Sequence, residues 1–157
     1  MVRIPMTPEG VQALSDELLR LKGEDRHAVI KAIASAREHG DLSENAEYHA
    51  ARERQSFIEG RIAELETIIS QAEAIDTSNM SGTIVRFGAT VLIADEDTDE
   101  ESKYRIVGVH EANISKGMIS VTSPLAKALI GKTIGDSVDV QSPGGNKSYE
   151  ICKITWK

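Results

Sequence analysis

Residues 37–53 read REHGDLSENAEYHAARE, and the way this stretch interrupts its surroundings decides the architecture. Upstream, Val11, Leu14, Leu18, Leu21, Ala28 and Ala32 fall on the three-four spacing of a coiled-coil seam, interrupted at Asp25. Downstream, Ala51, Ile58, Ile62, Leu65, Ile69 and Ala72 repeat that spacing, interrupted at Gln55. Two narrow matching stripes on either side of a short break predict two antiparallel helices, over 8–38 and 45–75, folded as a hairpin. At 1.5 Å per residue each would reach roughly 45 Å, longer than the body of a small domain, so the hairpin is expected to project. Thr7 can cap the first helix with Pro8 at its first position, where the missing N–H costs nothing. Gly23 lies inside that helix, where glycine costs on the order of 1 kcal/mol against alanine, so a kink or local irregularity is expected there.

Beyond residue 80 the period changes from helical to alternating. Short strands are predicted at 83–87, 90–94, 104–107, 118–121, 138–141 and 149–154, punctuated by Gly88, Gly108, Gly117, Gly135 and Pro143-Gly144-Gly145. One short helix interrupts them, with Ser123 as N-cap, Pro124 in the first turn and Gly131 as C-cap. The fold class expected is α+β in two domains, a helical hairpin over 1–77 and a β-rich domain over 78–157.

Composition narrows the function. With 18 Lys and Arg against 25 Asp and Glu, the net charge is −7. Such a chain gains little from the counterion release that drives autonomous nucleic-acid binding, so tight binding of that kind is not expected. Residues 1–75 carry nine bases and fourteen acids, the rest nine and eleven, so both halves are acidic. Even so, Lys31, Arg37, Arg52 and Arg54 gather towards the break between the helices. Arg54 reads as helix-surface charge. Arg37 and Arg52 would face each other near one level and could form a local basic spot.

The single cysteine, Cys152, excludes an internal disulfide and a Cys-rich zinc site, and reads as a small strand residue. No 18-residue apolar run exists and the start, MVRIPMTPEG, lacks a leader's apolar stretch, so no membrane span is predicted and the cytoplasm is the expected location. There is no glycine-rich phosphate loop and no G-x-S-x-G elbow. Asp95, Asp97 and Asp99 alternate as in a calcium loop, but without its glycine or flanking helices they read as a solvated hairpin turn. His39 and His49 lack the convergent partners of a zinc site.

Two readings remain open for Asp41 and Glu44. Between helices, Gly40 can end the first, Asp41 can cap the second, and Glu44 can complete a capping box. Equally, two carboxylates at the tip can supply oxygens to a Mg²⁺ that keeps most of its waters. Spacing does not choose between them.

The stretch GDLSENAEYHAARE at 40–53 resembles the hairpin tip of the Gre family of bacterial transcript cleavage factors. IPMTPEG at 4–10, YRIVG at 104–108, SVTSPLAKALIGK at 120–132 and PGG at 143–145 agree in order, so the resemblance spans nearly the whole chain. It implies an N-terminal antiparallel coiled coil and a C-terminal FKBP-like domain. It also implies a partner, RNA polymerase, gripped at the rim of its secondary channel by the C-terminal domain while the coiled coil enters the channel. Asp41 and Glu44 match the two carboxylates that help hold a Mg²⁺ shared with the polymerase, whose own activity then cleaves backtracked RNA. Arg37 and Arg52 match basic positions beside the tip and would contact the RNA 3′ end. Ser123 and Pro124 fall near the family's polymerase-binding surface. The protein is thus expected to activate another enzyme, with no catalysis of its own. The net-acidic hairpin, without an extended basic stripe, fits the less basic of the family's two branches. A non-cleaving channel occupant or a coiled-coil chaperone is the alternative.

Overall fold

The computed structural model describes residues 3–40 and 45–156, and the chain divides into two compact units. The first covers residues 11–72. In it α1 (Pro8–Arg20), a π-helical turn (Leu21–Asp25) and α2 (Arg26–Arg37) run on continuously, and α3 (Ala46–Gln71) returns against them. The seam is Leu21, Val29, Ile58, Ile62 and Leu65, with Leu14 and Leu18 packed on it. Val29 and Leu65 are wholly buried.

The seam departs from the sequence expectation at one place. Beyond Gly23 the buried residues are Val29, Ile33 and Ala36, whereas Ala28 is exposed and Ala32 half-buried. A π turn holds one residue more than an α turn, so the stripe emerges from Leu21–Asp25 displaced by one position. The irregularity expected at Gly23 exists, and its effect is to bring Val29 and Ile33 inward in place of two alanines. On α3 the same exchange of neighbours buries Ile68 more deeply than Ile69. Ion pairs flank the seam: Arg26 grips Glu59 with two bonds of 2.9 and 2.7 Å, Arg61 grips Glu17 at 2.8 and 3.0 Å, and Lys22 reaches Glu66 at 3.3 Å.

The second unit joins Arg3–Gly10 to residues 73–156. Here β1 (Ile4–Met6) and β2 (Ala72–Ala74) form a two-stranded ribbon. The main sheet holds β3 (Thr90–Asp95), β4 (Glu101–Val107), β5 (Met118–Ser120), β6 (Ser137–Ser142) and β7 (Gly145–Thr155) in the order β5-β4-β3-β7-β6. All its pairings are antiparallel except β4 with β5. Helix α4 (Pro124–Leu129) packs Ala126 and Leu129 against Val91, Ile93, Ile106 and Ile151 on one face of the sheet.

Segment 83–87 is not a strand. It makes a single bridge, Ile84 to Thr133, and two backbone bonds between Val85 and the Gly131–Lys132 turn. The turn at Gly88 (φ 87°) cuts it short: a side chain there would run into the Thr77 methyl, so the chain is committed to bending. The acidic run after β3 is a hairpin turn in which the Asp95 carboxylate accepts the N–H groups of Asp97 and Thr98 at 2.8 and 3.3 Å. The β3–β7 register steps by one residue at Cys152, which lies exposed on β7. Among the described residues no helix is long and apolar enough to cross a membrane.

Candidate functional site

Helix α2 closes by tightening its last turn, where His39 N–H bonds to the Ala36 carbonyl at 3.1 Å and Gly40 N–H to that of Arg37 at 3.3 Å. Gly40 then takes φ 98°, the left-handed conformation glycine adopts without strain. Helix α3 opens at Asn45, whose Oδ1 accepts the Tyr48 N–H at 3.1 Å. The same side chain donates through Nδ2 to the Ala36 carbonyl at 2.7 Å. One asparagine therefore caps the start of α3 and satisfies a terminal carbonyl of α2, tying the two helix ends together.

Asp41 and Glu44 lie outside the described residues. The capping-box reading falls on the same residues; the N-cap of α3 itself is Asn45, with Tyr48 three positions on. Sequence reading passed over Asn45, although its place directly before Ala46-Glu47 on a helix start carried the signal.

Arg37 and Arg52 are both exposed and line one shallow groove with Ile30, Ile33, Ala34 and Gln55. Among the described residues neither has an ion-pair partner, in contrast to Arg26 and Arg61 further along the hairpin. His39 approaches Glu47 at 3.6 Å, and the ring of His49 meets Tyr48 edge-on at 5.6 Å between centroids. Among the described residues no group of three His, Cys, Asp or Glu side chains could hold a metal. Two carboxylates such as those of Asp41 and Glu44 are hard oxygen donors of the kind Mg²⁺ prefers.

In the second unit Ser123 caps α4, its hydroxyl accepting the Ala126 N–H at 3.2 Å, with Pro124 in the first turn as expected. A further carboxylate, Glu111, went unnoticed in the sequence. It accepts the Thr7 N–H at 3.0 Å, the Gly108 N–H at 2.8 Å and the Thr7 hydroxyl. Thr7 Oγ1 in turn accepts the Gly10 N–H at 3.0 Å, capping α1. No local pattern announces a bond between positions 104 apart in the chain.

The fold defines a class: two-domain α+β proteins with a long helical hairpin, whose connecting sequence carries two carboxylates, and a mixed-sheet unit. Residues 4–74 match the family model described as "Transcription elongation factor, N-terminal", and residues 80–156 match "Transcription elongation factor, GreA/GreB, C-term". The GreA of Rhodospirillum rubrum is 62% identical over 98% of both chains, and that of Ruegeria pomeroyi 63% over 99% of both. The GreA of Acidiphilium cryptum is 65% identical over 98% of each. A solved structure of the transcription factor Gfh1 overlays with a TM-score of 0.46 at 28% identity, covering 98% of this chain and 99% of that one, an overlay too loose to add to the family match. The chain belongs to the GreA/GreB family and is a transcription elongation factor.

Proposed function

We propose that the protein binds RNA polymerase through its sheet unit, places its helical hairpin in the polymerase's secondary channel, and stimulates cleavage of backtracked RNA at the polymerase's own active site. The observation that carries this reading is Asn45. It fills the N-cap of α3, so Asp41 and Glu44 are not needed to start the helix and their charge is available for other work. Helix α3 is 26 residues long, about 39 Å, enough to carry a tip into a centre that a globule cannot enter. Asp41 and Glu44 would hold a Mg²⁺ together with carboxylates of the polymerase. When bound, that ion supplies charge stabilisation to the attacking and leaving oxygens of phosphodiester hydrolysis.

The hairpin's residues divide the remaining tasks. Arg37 and Arg52, without an ion-pair partner among the described residues and lining one groove, would meet phosphates of the extruded RNA 3′ end. Asn45 ties the ends of α2 and α3 together, giving the tip a rigid base. Pro124, exposed beside the Ser123 cap, would belong to the polymerase-docking surface. The protein cuts no RNA by itself and works in the cytoplasm beside the transcription machinery.

The test is cleavage rate against Mg²⁺ concentration on a backtracked elongation complex, for the parent and for Asp41→Asn and Glu44→Gln. Each amide should sharply reduce cleavage, since an amide is a much poorer Mg²⁺ ligand than a carboxylate, and raised Mg²⁺ should partly restore it. Polymerase binding should survive. Full cleavage activity in the double variant would sink the metal role, and absence of stimulation by the parent itself would leave a non-cleaving channel binder.

A further inference from the structure

The face of the main sheet turned away from α4 carries an unusual charge arrangement. Register sets Lys103 beside Leu92, and Leu92 beside Lys153, in one row across β4, β3 and β7. In the next row Arg105 pairs with Thr90 and, across the parallel pairing, with Met118. Lys116, the last residue of a 3-10 turn just before β5, lines the same groove as Lys103, and the Arg105 N–H bond to the Gly117 carbonyl at 2.7 Å holds the two segments together there. Cations gathered this way repel one another, and a bound anion would relieve that repulsion.

No carboxylate of the described residues neutralises Lys103, Lys116 or Lys153. Arg105 has only Glu9, at 3.9 Å, and Glu9 is 74% exposed. Meanwhile its Nε is buried without a hydrogen-bond partner. An orphaned guanidinium donor beside two lysines with no carboxylate partner among the described residues is suited to take an anion, even in a chain of net charge −7. The place for one is present: Lys103, Arg105 and Lys116 line a groove of about 1150 Å³. Two carboxylates also line it. Asp76 accepts the Ser78 N–H at 2.9 Å, and hydrogen bonds from Ser78 hold its carboxyl below the usual range, so it stays charged, but Lys103, Arg105 and Lys116 outnumber it and Glu9. Glu9 is the weak partner of Arg105.

The rest of the wall says what else the ligand carries. Met80, Met118 and Trp156 make it apolar, and the Trp156 indole is fixed by donating to the Gly82 carbonyl at 3.2 Å. A bare inorganic anion has no use for that wall, whereas a phosphorylated nucleoside presents both a phosphate chain and a flat base. We propose that this groove binds a nucleotide, its phosphates on Lys103, Arg105 and Lys116 and its base against the Trp156 side. That chemistry could come from a free nucleoside triphosphate or from the end of a single-stranded RNA.

Trp156 is the only tryptophan in the chain, so its fluorescence reports directly on the groove. The full-length protein is titrated with ATP, inorganic triphosphate, adenosine and a tetranucleotide RNA, and binding is checked independently by equilibrium dialysis. Saturable binding of ATP is expected, weaker for triphosphate, absent for adenosine, and falling as salt rises. Lys103→Gln with Lys116→Gln, both exposed positions, should weaken ATP at least tenfold with the melting temperature kept. Tighter binding of ATP than of the tetranucleotide assigns the site to a free nucleotide, and the reverse order assigns it to an RNA end. Failure of both to bind at millimolar concentration, or equal binding by the double variant, would overturn the proposal. Neither result touches Asp41 and Glu44, so the cleavage reading stands or falls separately.

Discussion

Asn45 makes both of its bonds, to Tyr48 N–H and to the Ala36 carbonyl, where two helices end. Asn45→Ala removes both and should destabilise the hairpin by about 1–2 kcal/mol, read as a lower melting temperature. Asn45→Asp keeps the cap but loses the amide donor and should fall between. Equal melting of all three proteins would show that the bridge contributes nothing. A second residue-scale effect is acid sensitivity. The bidentate bond from Arg61 holds the Glu17 carboxyl below its ordinary value near 4.5, and Glu17 pushes the Arg61 pKa up. A depressed carboxyl stabilises the fold fully above its unfolded value, and that contribution is lost as pH falls through the folded one. At neutral pH Glu17→Gln should therefore cost about 1 kcal/mol, the pair being partly screened by solvent. The gap between parent and variant melting temperatures should close as pH falls below about 4.3. A gap constant from pH 7 to pH 3 would contradict the pairing.

At the scale of elements the decisive feature is the π turn at Leu21–Asp25. A side chain built on Gly23 meets nothing within 4 Å, and its φ is not left-handed, so Gly23→Ala should stabilise the helix by roughly 0.5–1 kcal/mol. Inserting one alanine beside Gly23 is a different matter. With the π turn kept, the added residue would turn the stripe back by one position, putting Ala28 and Ala32 where Val29 and Ile33 now pack. Each large-to-small exchange in a core costs about 2–5 kcal/mol less whatever the site recovers by relaxing, so the insertion should unfold or strongly destabilise the hairpin. Urea denaturation followed by helical circular dichroism distinguishes the pair. An insertion variant as stable as the parent would mean that the register displacement has no energetic weight.

For the molecule as a whole, sequence order and compact unit do not coincide. Residues 3–10 belong with residues 73–156, because Glu111 collects its donors from Thr7 as well as from Gly108. Removing residues 1–10 should therefore lower the melting of the C-terminal unit by about 2 kcal/mol or more, although they stand at the far end of the chain. Glu111→Ala should cost a similar amount, and the two changes together should cost clearly less than their sum, since they break the same bonds. Additive losses would show that Thr7 and Glu111 act independently.

The sequence alone was enough for the two-part α+β plan, the short α4 with its Ser123 cap, the turn at 95–101 and the nomination of Asp41 and Glu44. All of these follow from period, breakers and short-range grammar, in which a residue's role is set by neighbours a few positions away. Tertiary structure decided the rest. The π turn moved the seam from Ala28 and Ala32 to Val29 and Ile33, because helix phase is the sum of every turn before it and one inserted residue shifts all that follow. Segment 83–87 alternates like a strand but found only the single bridge from Ile84 to Thr133, and a strand exists only through continued pairing. Thr7 with Glu111, and Lys103 with Lys116, meet only after the chain has folded. Long-range partners of this kind leave no local pattern, so only packing reveals them.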